Sequence, residues 1–498
     1  MLFPFTVPLP IPKVVVQATF KLLSTLRIVP PRKNLPADTF VRYNFSMNFV
    51  TAPLIANLLL LATRSIGRRE VHDGIVGANN IEPYDIMLFF LSLAYIALSI
   101  DASGLIRYLA YRVLQVGGNA GHRLYLCLYS FFFAVTTAIG NDPVILSGTP
   151  FLAYMARVST NISNPPRAWI YGQFSIANIA SAILVSSNPT NLVIAGAFSI
   201  RFINYSANVI VPVVATSVLL FPCLLYVIFR KDSLIPKRIE MHQLSDEARE
   251  KQPVNPNIPR LEGAAQEKAL PLEEIMNPYL DKVGAYFATG ILAAALVTLL
   301  VVNAVTQGKE HIPAFWITTP AAAITLSFDL IWGWMNRHES RRIANEPADT
   351  QSSHSDLEAA PVERQEASNQ PEPEPKEVRQ TNTGREGSER SVSHFDFDES
   401  HALSTRLASA YRSFQITFPT AATVISHMPF PLVPFAFCMF ILVQALVTKG
   451  WVPVFAHGWD AWVEKTGTVG AIGGMGFVSV IMCNVSFPPS RTTLYSHN

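Results

Sequence analysis

Two short polar interruptions inside apolar sequence hold the residues best suited to chemistry: Gly140-Asn141-Asp142-Pro143 and Ser187-Asn188-Pro189-Thr190-Asn191. Each such group left unpaired in hydrocarbon costs several kcal/mol, so these breaks belong where they line a cavity. Proline and glycine at the same places interrupt the helical ladder, which adds free backbone groups and half-helix dipoles to the side chains. The pattern predicts a small-ion site built from Asn141, Asp142, Ser187, Asn188, Thr190 and Asn191, with Thr149 lining the same cavity two turns on. The plainer readings are an ordinary Asn-Pro-Thr turn and an Asp142 cap with Pro143 at the first helical position. At the first break both hold together. A capped helix start pointing into a cavity binds an anion, or uses Asp142 to hold a proton or sodium ion.

Other polar residues in apolar sequence are weaker candidates. Asp101 is a coupling-ion carboxylate by its setting, or the cap of a kink at Ser103-Gly104. Asn178 lies in Ala177-Asn178-Ile179-Ala180-Ser181-Ala182, small and polar enough for close helix packing. Asp329 and His427 read as structural groups satisfied by neighbours or water. Gly470-x-x-x-Gly474 permits close helix contact.

The elements that must position these groups are membrane spans. Half the residues are hydrophobic and only 15% are charged, and the charge is gathered in polar stretches between uncharged runs. That is the composition of an all-α polytopic membrane protein, integral and multi-pass. A net charge of +2 without a basic patch argues against nucleic acid as a partner. The four cysteines lie in apolar segments without metal-ligand spacing, so reduced packing thiols are expected, with no metal and no cofactor.

Runs free of Lys and Arg give about eight to ten windows for crossing about 30 Å of hydrocarbon. Residues 1–46 read as a cytosolic segment with a surface helix between Val14 and Val29. Residues 47–231 form a first transmembrane half, starting with a span from Met47 to Thr63 and containing the hairpin and the broken helix. Residues 232–281 are an exposed polar connection, and 282–336 hold two more spans. Residues 337–402 form a cytosolic loop too polar to pack, expected to be disordered. Residues 403–485 begin with an amphipathic helix around Leu403, Leu407, Tyr411 and Phe414, then a span from Leu432. An interfacial connection through Trp451, Trp459 and Trp462 leads to an apolar run from Val469, and 486–498 are a polar tail.

With these residues in view, the chain resembles the citrate transporter-like and arsenite permease-like families of the ion transporter superfamily, their fungal members in particular. The likeness rests on Pro83-Tyr84-Asp85, on Leu98-Ser99-Ile100-Asp101-Ala102-Ser103-Gly104, on the run from Gly140-Asn141-Asp142-Pro143 to Thr149-Pro150, and on Ala177-Asn178-Ile179 leading to Ser186-Ser187-Asn188-Pro189-Thr190-Asn191-Leu192. It spans most of residues 83 to 229. The resemblance implies an inverted-repeat ion transporter fold with re-entrant hairpins and broken helices. It implies movement of small inorganic or organic anions such as arsenite or carboxylates, or sodium/proton exchange, with sodium or a proton as coupling ion. No enzymatic step is implied unless a separate ATPase subunit assists.

In the second half, Leu432 to Gly450 and Val469 to Asn484 read as weak counterparts of Ile86 to Gly104 and Leu124 to Asn141. Asn484 then matches Asn141 and joins the coupling candidates. By that alignment the second repeat is incomplete, short by roughly 80 residues, about four spans. The expectation is a truncated product, an alternative transcript, or a form completed as a homodimer, inactive if nothing completes it. Two other classes compete. A membrane scaffold would act through the 337–402 loop. An intramembrane aspartyl protease would use Tyr84-Asp85 and a second Asp, but Gly140-Asn141-Asp142-Pro143 does not match that family's second motif.

Overall fold

Where apolar runs exclude charge, the backbone has only itself to bond to, and helices follow. The computed structural model describes residues 5–25, 40–78, 81–159, 161–162, 165–239, 253–259, 278–305, 313–345 and 403–486. An antiparallel pair of strands, β1 (Phe5–Pro12) and β2 (Phe40–Met47), flanks helix α1 (Lys13–Thr25). Helices α2 (Thr51–Ala62), α3 (Arg68–Ile75), α4 (Pro83–Ala102), α5 (Leu105–Gly117), α6 (Gly121–Ile139), α7 (Asn141–Val158) and α8 (Arg167–Ala180) follow. A 3-10 turn (Val185–Ser187) leads to α9 (Pro189–Ala197) and to α10 (Phe202–Pro222), which ends in a π-helical turn (Cys223–Ile228). Then come α11 (Lys282–Val305), α12 (Phe315–Met335), α13 (Arg337–Asn345), α14 (Leu403–Thr417), α15 (Pro419–His427), α16 (Leu432–Thr448) and α17 (Trp451–Ser486).

The expected all-α polytopic architecture is present. Among the described residues, six segments are long and apolar enough to cross a membrane: Pro83–Ala102, Gly121–Ile139, Phe202–Ile228, Lys282–Val305, Phe315–Met335 and Pro419–Thr448. Six rather than eight to ten follows from where helices start and stop. The expected first span, Met47 to Thr63, shrinks to the 12-residue α2, because β2 runs to Met47 and the Asn48 carboxamide accepts from the Val50 and Thr51 N–H groups. Twelve residues rise only about 18 Å. The paired strands in 1–46 went unforeseen. Three prolines of β1 have no N–H to give, which a two-stranded ribbon tolerates because each strand keeps a free edge.

Three connections also differ from expectation. The described parts of 232–281 are not loosely exposed: Ile235, Ile239 and Ile258 are buried, Ile239 N–H donates to Asn119 O at 2.7 Å, and Asp281 N–H donates to Ser103 O at 2.9 Å. In 337–402 the first turns are helix α13, which buries Ser340 and Ala344 and packs on α14, while 346–402 lies outside the described residues. The tryptophan-rich connection is itself helical, and it meets the helix of the final apolar run at a break at Gly467, whose φ of 64° only glycine adopts readily; the two stretches are labelled together as α17.

The core lies in two apolar clusters. One joins α5, α6, α7 and α8 with Leu224, Leu225, Ile235 and Ile239; the other joins α4, α9, α11 and α12 with Val185, Phe202 and Tyr205. Helix α4 is the frame of the second. It runs parallel to α12 along polar rungs seven residues apart. Asp85 Oδ1 accepts the Phe315 N–H at 3.3 Å, Ser92 meets Thr319 at 3.0 Å, and the Asp329 carboxylate accepts from Ser99 at 3.0 and 3.1 Å and from the Tyr95 hydroxyl at 2.9 Å. Buried polar groups need such partners. Tyr95→Phe is expected to lower stability by about 1 to 2 kcal/mol in denaturant unfolding of the detergent-solubilised protein; an unchanged midpoint would show that this rung contributes nothing.

Candidate functional site

Helix α6 ends where Gly140 takes φ 88° and ψ 172°, a conformation essentially reserved for glycine, and α7 starts at the next residue. A Cβ at Gly140 would lie 2.9 Å from the Ser187 carbonyl oxygen, so the two breaks are in direct contact. Ser187 Oγ donates to Thr137 O at 2.9 Å, which occupies a carbonyl in the last turn of α6. Ile139 packs against both apolar clusters, so the contact sits on the seam between them. A hollow of about 40 Å³ opens there, lined by Phe90, Leu93, Ala94 and Ala97 of α4, by Ala138 to Pro143, by Ser186 and Ser187, and by Leu292 and Leu296 of α11.

The structure sorts the predicted residues. Asn141 and Asp142 line the hollow at the start of α7, with Gly140 providing no side-chain cap there. Asn141 Nδ2 reaches Asn178 Oδ1 at 3.4 Å, so Asn178 belongs to the same polar patch; Asp142, Asn178 and Thr190 are exposed. Ser187 is buried and lines the hollow. Asn188 and Asn191 are engaged locally. Asn188 Oδ1 caps α9 through the Thr190 N–H at 3.0 Å, and Asn191 Nδ2 donates to the Ser181 and Leu184 carbonyls, both at 2.8 Å. The bond to Ser181 satisfies the carbonyl where α8 ends; the bond to Leu184 joins the Ser187 N–H on that carbonyl in the turn beyond.

Thr149 does not line the hollow. It donates to Gln173 Oε1 at 3.2 Å, while Gln173 Nε2 donates to Val144 O at 2.7 Å. Gln173 is the residue sequence reasoning missed: it is buried on α8 and clasps the first two turns of α7, and a Cβ on Gly148 would overlap its amide. A Gln and a Gly in helices facing each other were the available signal. Asp101 is also away from the hollow, buried at 6% exposure and accepting a hydrogen bond from Ser147 of α7. It lines a second, larger cavity of about 420 Å³ between α4, α5, α7, α15 and the 256–259 segment. The backbone of Asn484 lies in α17, and its side chain is outside the described residues. Among the described residues no group of three His, Cys, Asp or Glu side chains is arranged for a metal.

Six segments among the described residues that are long and apolar enough to cross a membrane, and a pair of chain breaks meeting on the seam of two cores, define an integral, multi-pass membrane protein with discontinuous helices. The chain belongs to the citrate transporter family, whose sequence profile matches residues 44–340, well beyond the 83–229 stretch on which the resemblance was read. Arsenical pump membrane proteins are similar to part of it. That of Escherichia coli is 29% identical over 160 residues, 32% of this chain and 37% of its own. That of Escherichia coli strain K12 is 30% identical over 159 residues, 32% and 36%, and that of Yersinia enterocolitica 29% over 143, 29% and 33%. The chain spans about a third of the length of these curated relatives. The family is one of transporters rather than enzymes, which removes the protease reading.

Two substitutions test the local architecture. Gly140→Ala is expected to lower stability by about 1 to 3 kcal/mol, read as a shift in the unfolding midpoint. Asn191→Ala leaves the Ser181 carbonyl without its side-chain donor, while the Leu184 carbonyl keeps the Ser187 N–H at 3.1 Å, and is expected to cost about 1 to 3 kcal/mol; a midpoint equal to wild type would show that water replaces the amide.

Proposed function

We propose that this protein is a secondary transporter of small anions and that the meeting of its two helix breaks is the ion's passage. The observation that carries the reading is the contact of Gly140 with Ser187, which sets the uncapped start of α7 and the side chains of Asn141 and Asp142 around one hollow. Unpaired N–H groups at a helix start favour negative charge, and the Asn141 amide, held by Asn178 Oδ1, lines the same hollow. A hollow of about 40 Å³ has room for roughly three water-sized guests, which favours a small inorganic oxyanion of arsenite type at this point. Membership of the citrate transporter family and likeness to arsenical pump membrane proteins support the same class of cargo. Thr190, Ser187, Asn188 and Asn191 hold the second break in place beside it.

Asp101 is the coupling residue in this reading. Its carboxylate joins α4 to Ser147, two turns along α7 from Asn141, so loading it with a proton or a sodium ion alters the bond that ties the frame to the helix bearing the site.

The test is flux in liposomes containing the purified full chain, with arsenite and citrate as cargo and with proton or sodium gradients imposed. Asn141→Ala is expected to slow flux at least tenfold while the protein stays folded, and Asp101→Asn to remove the dependence on the gradient. Wild-type flux in Asn141→Ala would end the assignment of the passage. Unchanged gradient dependence in Asp101→Asn would end that of the coupling residue.

A further inference from the structure

Cations commonly flank the ends of spanning helices, but one end of this bundle gathers them on a built surface. The spanning segment Phe202–Ile228 keeps an apolar face in the open through Val211, Val218 and Leu219 to Tyr226, Val227 and Ile228, each more than half exposed, and runs directly into Arg230 and Lys231. The chain then folds back across the starts of two other helices. Ala120 and Arg238 pair as an antiparallel bridge, with Gly121 N–H donating to Lys237 O at 3.0 Å and Ile239 N–H to Asn119 O at 2.7 Å. Trp169 Nε1 of α8 donates to Leu234 O at 3.1 Å, and the His122 ring of α6 meets Tyr226 edge-on at 6.4 Å. Ile235 and Ile239 are buried beneath this clasp. The starts of α6 and α8 and the end of α10 are thereby held together.

Six exposed cations come with them: Arg123, Arg167, Arg230, Lys231, Lys237 and Arg238. The 230–239 stretch and the first turns of α6 and α8 hold one carboxylate, Asp232, and among the described residues none of the seven takes part in an ion pair. Arg123 and Arg167 stand in the first turns of α6 and α8, where the helix dipole disfavours positive charge, and neither first turn contains an acid. A local rule broken twice on one surface points to a compensating charge supplied from outside. The open apolar face of α10 lies against hydrocarbon and ends within a turn of Arg230, so the cations stand at headgroup depth. We infer that this clasp is a binding surface for the phosphate groups of anionic phospholipids. Arginine forks suit phosphate oxygens, and main-chain bonds set the clasp before any lipid arrives. The surface needs only that the chain spans a membrane, whatever the cargo.

The experiment is equilibrium binding of radiolabelled phosphatidylglycerol and phosphatidylcholine to the purified full chain in mixed micelles. Wild type is expected to prefer the anionic lipid by about tenfold or more, and to lose that preference as salt is raised from about 0.05 to about 0.5 M. Arg230→Gln, Lys231→Gln, Lys237→Gln and Arg238→Gln combined are expected to abolish the preference with the unfolding midpoint unchanged, since the side chains are exposed and the clasp is main-chain. Arg337→Gln, Arg341→Gln, Arg342→Gln and Arg412→Gln combined remove the same charge elsewhere and are expected to keep it. No preference in wild type, a preference that survives high salt, or one retained by the first combination overturns the inference. Equal loss in both combinations overturns it in favour of net charge alone, and displacement of the labelled lipid by glycerol phosphate at equal concentration in favour of a soluble anion.

Discussion

A backbone in hydrocarbon must satisfy its own polar groups, and at the two breaks that meet in this chain it is side chains of the second break that take up the freed carbonyls. The carbonyls freed by the end of α6 and of α8 are taken up by Ser187 Oγ and Asn191 Nδ2, and the Asn188 carboxamide caps the helix that resumes. Three of the polar residues that make the second break conspicuous are thus occupied in making it possible. What remains for a guest is the start of α7, where glycine supplies the turn and no side chain competes for the N–H groups. The contact of Gly140 with Ser187 is therefore the constraint from which the rest of the site follows.

The surrounding helices hold that contact from two sides. Helix α4 is tied to α12 by directional rungs at Asp85, Ser92 and Ser99, and the end of the pair is closed by Asp281, which caps α11 through the Val283 and Gly284 N–H groups and accepts from Trp332 Nε1 at 2.9 Å. Around α6, α7 and α8 the packing is mostly apolar, with Gln173 as the clasp. Ile139 belongs to both bodies, so the break falls where neither core alone fixes the chain.

Much of this was legible in the sequence. Charge-free runs located α4, α6, α11, α12 and α16 to within a few residues, because exclusion of Lys and Arg is what hydrocarbon demands. The breaks were legible because Asn, Asp and Pro have no business on a lipid-facing helix. The limits were of a different kind. Apolarity alone does not say where a helix starts, so α2 was read too long, its start being set by an Asn48 turn and a strand pairing across forty residues. The same holds for function within the motif. Pro83-Tyr84-Asp85 is a helix start that also reaches the Phe315 N–H of α12, and nothing in the local pattern names that partner. Nor does composition separate an asparagine that holds the fold from one that faces a cavity: Asn141 and Asn191 differ only in which carbonyls lie near them.

The segment between residues 239 and 281 is moored at both ends by main-chain bonds to the bundle, Ile239 to Asn119 and Asp281 to Ser103. Between those moorings the described stretch 253–259 is held as well: Ile258 is buried, and Asn257 Nδ2 donates to the Ala102 carbonyl at the end of α4 at 2.7 Å. The connection therefore takes up two successive carbonyls, Ala102 and Ser103, where α4 ends, and the turn that follows α4 cannot shift without breaking both bonds.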